Sequence, residues 1–357
     1  MTRMLMAVTA DLHLTPRREH PERFIVLEDI LSQMRETGLS ELIIAGDIFD
    51  QEIRNVSDFE AVCRDPLNRS IRFHLLPGNH DAGLTQKAFA AENVTVHSAP
   101  EIYKPDPASL PVCFMPYRND QTMGEALSPH AAGFVPGAWI LVGHGDWMEG
   151  MREPNPLEPG VYMPFTRVDL ETLKPVRVIL GHVHKPLDLG CLHYPGSPCG
   201  LDVTETGRRR FLVLDTESGF VQFRPVNAGP LFFDESIVVL PLEDESATLG
   251  RILESMIRGW GLRDSEKERA QVRLRASGYT TDKRRLADSI RNGLEGFHLI
   301  PDGEADLTEV SVSEDVERAQ LAERVRRQIE NMDWPVGPDA PGREAAFLQA
   351  VRTIYEP

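Results

Sequence analysis

Apolar runs about as long as a buried strand recur along the first half of this chain, and five of them end abruptly in polar residues. They cover Met4 to Ala10, Leu42 to Ala45, Ile71 to Leu76, Trp139 to Val142 and Val176 to Leu180. The segments Phe211 to Asp215 and Phe220 to Arg224 predict two more strands. Between the first two, apolar residues at Phe24, Leu27, Leu31 and Met34 share one helical face. Pro21 suits the first turn of that helix and Gly38 its stop. Proline-rich stretches from Pro100 to Pro111 and from Glu153 to Pro164 read as loops, because proline offers no amide donor.

The polar residues that close the five runs form an ordered set: Asp11-Leu12-His13, Gly46-Asp47, Gly78-Asn79-His80-Asp81, Gly143-His144-Gly145-Asp146 and Gly181-His182-Val183-His184. Each offers carboxylate, amide oxygen or imidazole next to a small residue that lets the backbone turn. Open α/β sheets gather ligands at the carboxyl ends of their strands, so these motifs are expected to meet in one cleft. Asp11 and His13, two residues apart, are expected to grip one ion together with His184. Asn79, His144 and His182 are assigned to a second ion, and Asp47 bridges the two. His80 is assigned as the general acid that protonates a leaving oxygen, with Asp81 as its orienter. Mixed imidazole and carboxylate ligation suits manganese, iron or zinc. The remaining histidines, His20, His74, His97, His130, His193 and His298, are read as structural or surface residues.

Composition narrows the class. No apolar stretch of this 357-residue chain reaches the ~20 residues that cross a bilayer. Cys63, Cys113, Cys191 and Cys199 form no paired spacing and read as reduced packing residues, which makes the cytoplasm the expected compartment. The formal charge of -17 argues against a free-standing nucleic-acid binder. Bound divalent ions would offset that charge locally. Lys267 to Arg291 runs against the average, with eight basic and three acidic residues.

Residues 1–228 carry every motif. Asn227-Ala228-Gly229-Pro230 marks a break, after which Ser236 to Leu240, Val272 to Ala276 and Leu307 to Val312 predict strands. Helical patterns around Leu249 to Ile257 and Arg284 to Ile290 separate them, giving a compact α+β domain over 229–312. In the tail, 313–357, Leu321, Val325, Ile329 and Met332 form a helical stripe. A Pro/Gly linker, Asp333 to Gly342, then leads to a helix presenting Phe347, Val351 and Ile354. These helices either dock on their own chain or bind a partner.

The motif set resembles the calcineurin-like metallophosphoesterases, and within them the SbcD-type nuclease subunits of double-strand-break repair. Gly46-Asp47-Ile48-Phe49-Asp50 and Leu76-Pro77-Gly78-Asn79-His80-Asp81 are similar to that branch's second and third motifs. Tyr194-Pro195-Gly196-Ser197-Pro198, with Asp202 and Glu205, is similar to the segment closing its phosphoesterase domain. The resemblance implies an αββα β-sandwich flanked by helices, followed by a smaller DNA-capping domain and a C-terminal helical tail. It implies Asp11, His13, Asp47, Asn79, His144, His182 and His184 as ligands of two divalent ions. Those ions are manganese by resemblance, with magnesium, iron and zinc as alternatives. It implies His80 as the catalytic histidine. One departure is Asp50, where the archaeal and eukaryotic branch often carries a histidine. The implied partners are DNA and an SbcC-type coiled-coil ATPase bound through the tail, in a heterotetramer containing a homodimer of this chain, away from any membrane. The expected activity is metal-dependent exonuclease action on duplex ends, with endonuclease action on single strands. The alternatives are a phosphodiesterase for cyclic nucleotides or other small phosphoesters, and a non-catalytic scaffold of a DNA-processing complex.

Overall fold

The computed structural model describes residues 4–50, 56–149, 160–334 and 341–356. It divides into one unit of residues 1–201 and 208–229 and another of residues 202–207 and 230–357. The short segment 202–207, which lies before the sequence break, thus groups with the second unit.

The first unit begins β1 (Leu5–Thr9), α1 (Pro21–Thr37), β2 (Glu41–Ala45), α2 (Val56–Arg64), β3 (Arg72–Leu76), β4 (Val94–Val96), β5 (Glu101–Tyr103), β6 (Val112–Met115) and α3 (Met123–Leu127). It continues β7 (Ile140–His144), β8 (Trp147–Met148), β9 (Phe165–Thr166), α4 (Arg167–Leu173), β10 (Arg177–Gly181), β11 (Leu187–Leu189), β12 (Leu192–Tyr194), β13 (Arg210–Asp215) and β14 (Val221–Pro225). Two six-stranded sheets result, ordered β14-β13-β1-β2-β3-β4 and β11-β12-β10-β7-β6-β5. Strands β1 to β4 run parallel, as do β6, β7, β10 and β12.

Alternation along each strand builds the layers. Met6, Val8, Ala10, Ile43 and Ala45 pack with Val112, Phe114, Ile140, Val142 and Ile179 between the sheets. Ala7, Leu42 and Ile44 face the other way, onto Phe24, Leu27, Ile30, Leu31 and Met34 of α1 and Phe59 of α2. On the second sheet, Leu141, Val178 and Leu180 pack outward against Met123 and Leu127 of α3. Both faces of each central strand are therefore covered, which is why the runs read as continuously apolar. This is the αββα sandwich.

α1 follows its sequence signals: Pro21 opens it and Gly38, at φ 72°, turns its amide back onto the carbonyls of Met34 and Arg35. One expectation changes. The stretch Pro100 to Pro111 contains β5, an edge strand that pairs only with β6, and an edge tolerates flanking prolines. Most of the stretch Glu153 to Pro164 lies outside the described residues. Three of the unassigned histidines are buried. His74 joins Glu41 at 2.7 Å and His97 at 3.0 Å, and His97 meets Glu101 at 2.8 Å. That chain ties β2 and β3 of one sheet to β5 of the other. His193 sits 2.8 Å from Asp188. The four cysteines are free thiols.

The second unit contains β15 (Leu231–Val239), α5 (Glu245–Trp260), β16 (Ala270–Thr280), α6 (Lys283–Gly293), β17 (His298–Leu299), β18 (Asp306–Val312), α7 (Val316–Asn331) and α8 (Arg343–Tyr355). Its strands are parallel to the central β16. Ile237 and Val239 pack toward Leu249 and Leu253 of α5 and Leu286 and Ile290 of α6. Val238 and Leu240 face Ala322 of α7 and Phe347, Val351 and Tyr355 of α8. The tail helices therefore dock on their own chain. The expected stripe on α7 is met in part: Ile329 packs against this core and Ala319 and Ala322 are buried, while Leu321 is 42% exposed and Met332, just past the helix, 52% exposed. Residues 335–340 of the expected linker lie outside the described residues. Among the described residues, no helix is long and apolar enough to cross a membrane.

Phe59, fully buried, stands edge-on to Phe49, Phe73 and Phe89. Phe49 follows Asp47 by two residues, so this aromatic cluster supports a ligand-bearing loop from behind. Phe59→Ala is expected to cost about 3–5 kcal/mol in urea unfolding. A loss below about 1 kcal/mol would mean that the cluster does not carry the loop.

Candidate metal centre

The centre is built where β1, β2, β3, β7 and β10 end. Past β1 and β2 the two chains keep pairing as they leave the sheet: Asp11 N donates to Gly46 O, His13 N to Asp47 O and Leu14 N to Ile48 O. They do so with left-handed backbone at Asp11 (φ 54°), His13 (φ 45°) and Asp47 (φ 50°); His182 past β10 is also left-handed (φ 99°). Such conformations cost about 1–3 kcal/mol each outside glycine and persist only where neighbours over-determine them. Two glycines are required by close approach. A Cβ on Gly46 would stand 1.9 Å from His144 Nδ1, and one on Gly78 would stand 2.1 Å from Asp47 Oδ1.

All seven expected ligands meet here. Asp11, His13 and His184 bring ligand atoms within 4.8 Å of one another, as do Asp47, His144 and His182. His13 Nε2 lies 3.1 Å from His184 Nε2. Asn79 Oδ1 lies 2.7 Å from His144 Nε2 and 3.1 Å from His182 Nδ1. Asp47 Oδ2 stands between the groups, 3.3 Å from His144 Nε2 and 3.7 Å from His13 Nε2. His144 Nδ1 is 2.9 Å from Ala45 O, so it donates there and leaves Nε2 as a lone pair aimed into the centre. His182 holds its backbone N–H on Asp11 Oδ1 at 2.8 Å.

The electrostatics suit a cation. Asp11 Oδ2 and Asp47 Oδ2 are buried and accept no hydrogen bond among the described residues. An unpaired buried carboxylate oxygen is costly, whereas imidazole lone pairs and carboxylate oxygens converging on one point are what a divalent ion needs. Burial pushes the Asp11 carboxyl up from its usual range, against the pull of His144 and His184. Burial acts the same way on Asp47, yet His144, His13 and His80 hold it below the ordinary carboxylate range. Burial disfavours charge on His144, but Asp47 and Asp11 outweigh it and raise its imidazole to about 9. The carboxylates therefore draw positive charge into the centre, and the donor set fits divalent cations.

His80 lies beside the ligands with its side chain 22% exposed, open toward an incoming substrate. Its backbone N–H donates to Asp47 Oδ1 at 2.9 Å. Asp81, expected to hold the His80 ring, directs its oxygens elsewhere: Oδ1 accepts from Gly78 N, and Oδ2 from Ile48 N and Phe49 N. It clamps the loop after β3 to the loop after β2, and burial and the charge of Asp47 push its carboxyl up to about 6. Among the described residues, Asp50 places a carboxylate near the His80 ring, with Oδ1 3.8 Å from Nδ1. Asp50 also lies 3.9 Å from His13 Nδ1, and His13 and then Arg23 hold its carboxyl down at about 2. The departure noted at Asp50 thus puts a carboxylate near both the His80 and the His13 rings.

Two further residues enter the centre without having been singled out for a role. Asp146, buried within the fourth motif, places Oδ1 3.6 Å from His182 Nε2 while Oδ2 accepts from Tyr162 N. Tyr162 packs its ring 4.7 Å from that of His182. The position of Asp146 next to Gly145 was the available signal; Tyr162 gives none.

The model of the calcineurin-like phosphoesterase family matches residues 4–202. Comparison with curated proteins finds no match. One similar solved structure is 14% identical, with 63% of this chain and 100% of that one covered, at a TM-score of 0.40, too remote a likeness to bear on fold or function. The family match spans more than half of the chain and takes in every residue gathered in the cleft, so the chain belongs to the calcineurin-like phosphoesterases, a family of phosphoester hydrolases that typically bind divalent metals.

Proposed function

We propose that this chain is a two-metal DNA nuclease that works beside a coiled-coil ATPase, with manganese as its metal. The observation that carries the reading is the pair of ligand groups with Asp47 standing between them. Divalent cations held by those groups would supply Lewis-acid stabilisation of phosphate charge and activation of water at neutral pH. The chain's own residues do the rest. Asp47 and Asp11 set the negative potential that holds the cations, and the Ala45 carbonyl fixes the His144 tautomer. His80 offers a proton to the departing oxygen, an effect typically worth ~10²- to 10⁴-fold. Asp50, 3.8 Å from that imidazole, would favour its protonated form.

The choice of DNA rests on the SbcD-type motifs, on the presence of a second unit and on one cationic patch within that otherwise acidic unit. Within the basic segment, Arg273 and Arg275 pair with Asp234, Lys267 with Asp264, Arg269 with Glu266 and Arg291 with Asp288. Lys283, Arg284 and Arg285 are exposed at the start of α6 and form no ion pair among the described residues. Three adjacent uncompensated cations suit a polyanion better than a small phosphoester. The exposed apolar residues Leu321 of α7 and Met332 just past its end are the proposed contact for the ATPase.

With manganese and the ATPase present, the chain is expected to degrade an end-labelled duplex far faster than it turns over bis-p-nitrophenyl phosphate or cyclic nucleotides. Asp47→Asn, which keeps the shape of the side chain, is expected to abolish that cleavage without unfolding the chain. Cyclic-nucleotide turnover exceeding duplex cleavage would favour the small-molecule reading, and cleavage retained by Asp47→Asn would defeat the assignment. The partner is tested by Leu321→Glu, since deleting 313–357 would strip Phe347 and Val351 from the sheet they cover. The variant is expected to fold and to lose co-purification with the ATPase; undiminished co-purification would place the interface elsewhere.

A further inference from the structure

The two ligand groups are held from behind in different ways. His144 is fixed through its own ring, by Nδ1 on Ala45 O, and His182 through its backbone N–H on Asp11 Oδ1. His13 and His184, which share the other group with Asp11, are each met at the main-chain carbonyl by a buried guanidinium. Arg23 Nη1 donates to His13 O, and Arg209 Nη1 donates to His184 O at 2.9 Å. Arg23 is 7% exposed and Arg209 is 4% exposed.

Each guanidinium comes from a rigid element. Arg23 lies in the first turn of α1, whose apolar face is embedded against the first sheet, and Arg209 directly precedes β13. The carbonyls they reach belong to the residues whose backbones aim the imidazoles. His13 has left-handed backbone, and the bond from Arg23 holds that conformation. The His184 carbonyl also accepts from Ser197 N at 3.0 Å, and Gly196 leaves room for it, since a Cβ there would stand 2.6 Å from that oxygen. The Pro195-Gly196-Ser197 segment and Arg209 thus grip one oxygen together.

Chemistry makes arginine an odd choice unless it positions something. A guanidinium stays charged at all accessible pH values, and a fixed positive charge beside a cation subsite opposes the ion. Arg23 has Asp50 at 3.4 Å as a counter-ion. What arginine adds over a neutral donor is a planar, directional N–H fork carried on a long stem, which fixes a carbonyl at a distance. Because the two His Nε2 atoms approach to 3.1 Å, a small rotation of either loop changes what this subsite can hold.

We propose that Arg23 and Arg209 are positioning residues for the Asp11–His13–His184 subsite, so that this subsite can be emptied while the Asp47–Asn79–His144–His182 subsite keeps its ion. The inference rests on the two-metal reading and extends it: the two subsites differ in how they are supported and therefore in how independently they fill.

The test is manganese binding by the full chain, followed by calorimetry and by electron paramagnetic resonance, with no turnover involved. The wild type is expected to take up two Mn²⁺ and to give the spectrum of an exchange-coupled pair. Arg209→Met is expected to keep one tight Mn²⁺, to bind the other about ten- to a hundredfold more weakly, and to show the spectrum of an isolated ion. Arg23→Met is expected to do the same. Arg209→Lys, which keeps a charge and one donor, recovers part of the loss and carries the test if the methionine variant does not fold. A merely structural arginine would lower the unfolding temperature without separating the two ions. Equal weakening of both ions in a folded variant, or no weakening of either, overturns the inference. A wild type that binds no Mn²⁺ would instead overturn the two-metal reading beneath it.

Discussion

Two buried carboxylates, Asp11 and Asp47, govern this molecule, because each keeps one oxygen that no described donor satisfies. Burying such a group is unfavourable by several kcal/mol unless positive charge is brought to it. The sandwich brings it: imidazoles at the ends of β1, β7 and β10 converge on the same point, and His144 is drawn toward the charged form in response. A divalent ion satisfies the same demand without a proton. The dry, rigid interior that makes the carboxylates costly also makes a cation held there strongly bound.

Rigidity has its own cost. Asp11, His13, Asp47 and His182 all sit in left-handed backbone that side-chain-bearing residues avoid. The ladder between the loops after β1 and β2, the Asp81 clamp across the loops after β2 and β3, and the aromatic packing behind Phe49 hold these conformations in place. Packing energy from the sandwich is thus converted into precise aim at the strand ends. The second unit, built round its own parallel sheet, contributes none of the seven ligands.

Much of this was legible in the residues themselves. Strand ends, the bounds of α1 and the ligand set are encoded locally, by apolar runs that stop, by proline and glycine at helix ends, and by histidine or aspartate beside glycine. The partner of Asp81 was not, since its acceptor oxygens meet the backbone of Ile48 and Phe49, and backbone amides leave no mark in a sequence. Asp146 and Asp50 were obscure for a similar reason: a lone carboxylate carries no periodicity, and only folding shows which ring it faces. On α7 the buried residues are Ala319 and Ala322, too small to stand out in the sequence, and from the expected stripe Ile329 packs beside them. Arg23 and Arg209 carry no local signal of a role, since what sets them apart is their burial against main-chain carbonyls.

The central claim is a paired cation centre gathered from Asp11, His13, Asp47, Asn79, His144, His182 and His184. Anomalous scattering at the manganese edge, from crystals of the full chain saturated with Mn²⁺, tests it most directly. The account predicts two peaks ~3.5–4 Å apart, both enclosed by those side chains with Asp47 between them. A single peak, or a cleft with none at saturating ion, would contradict it.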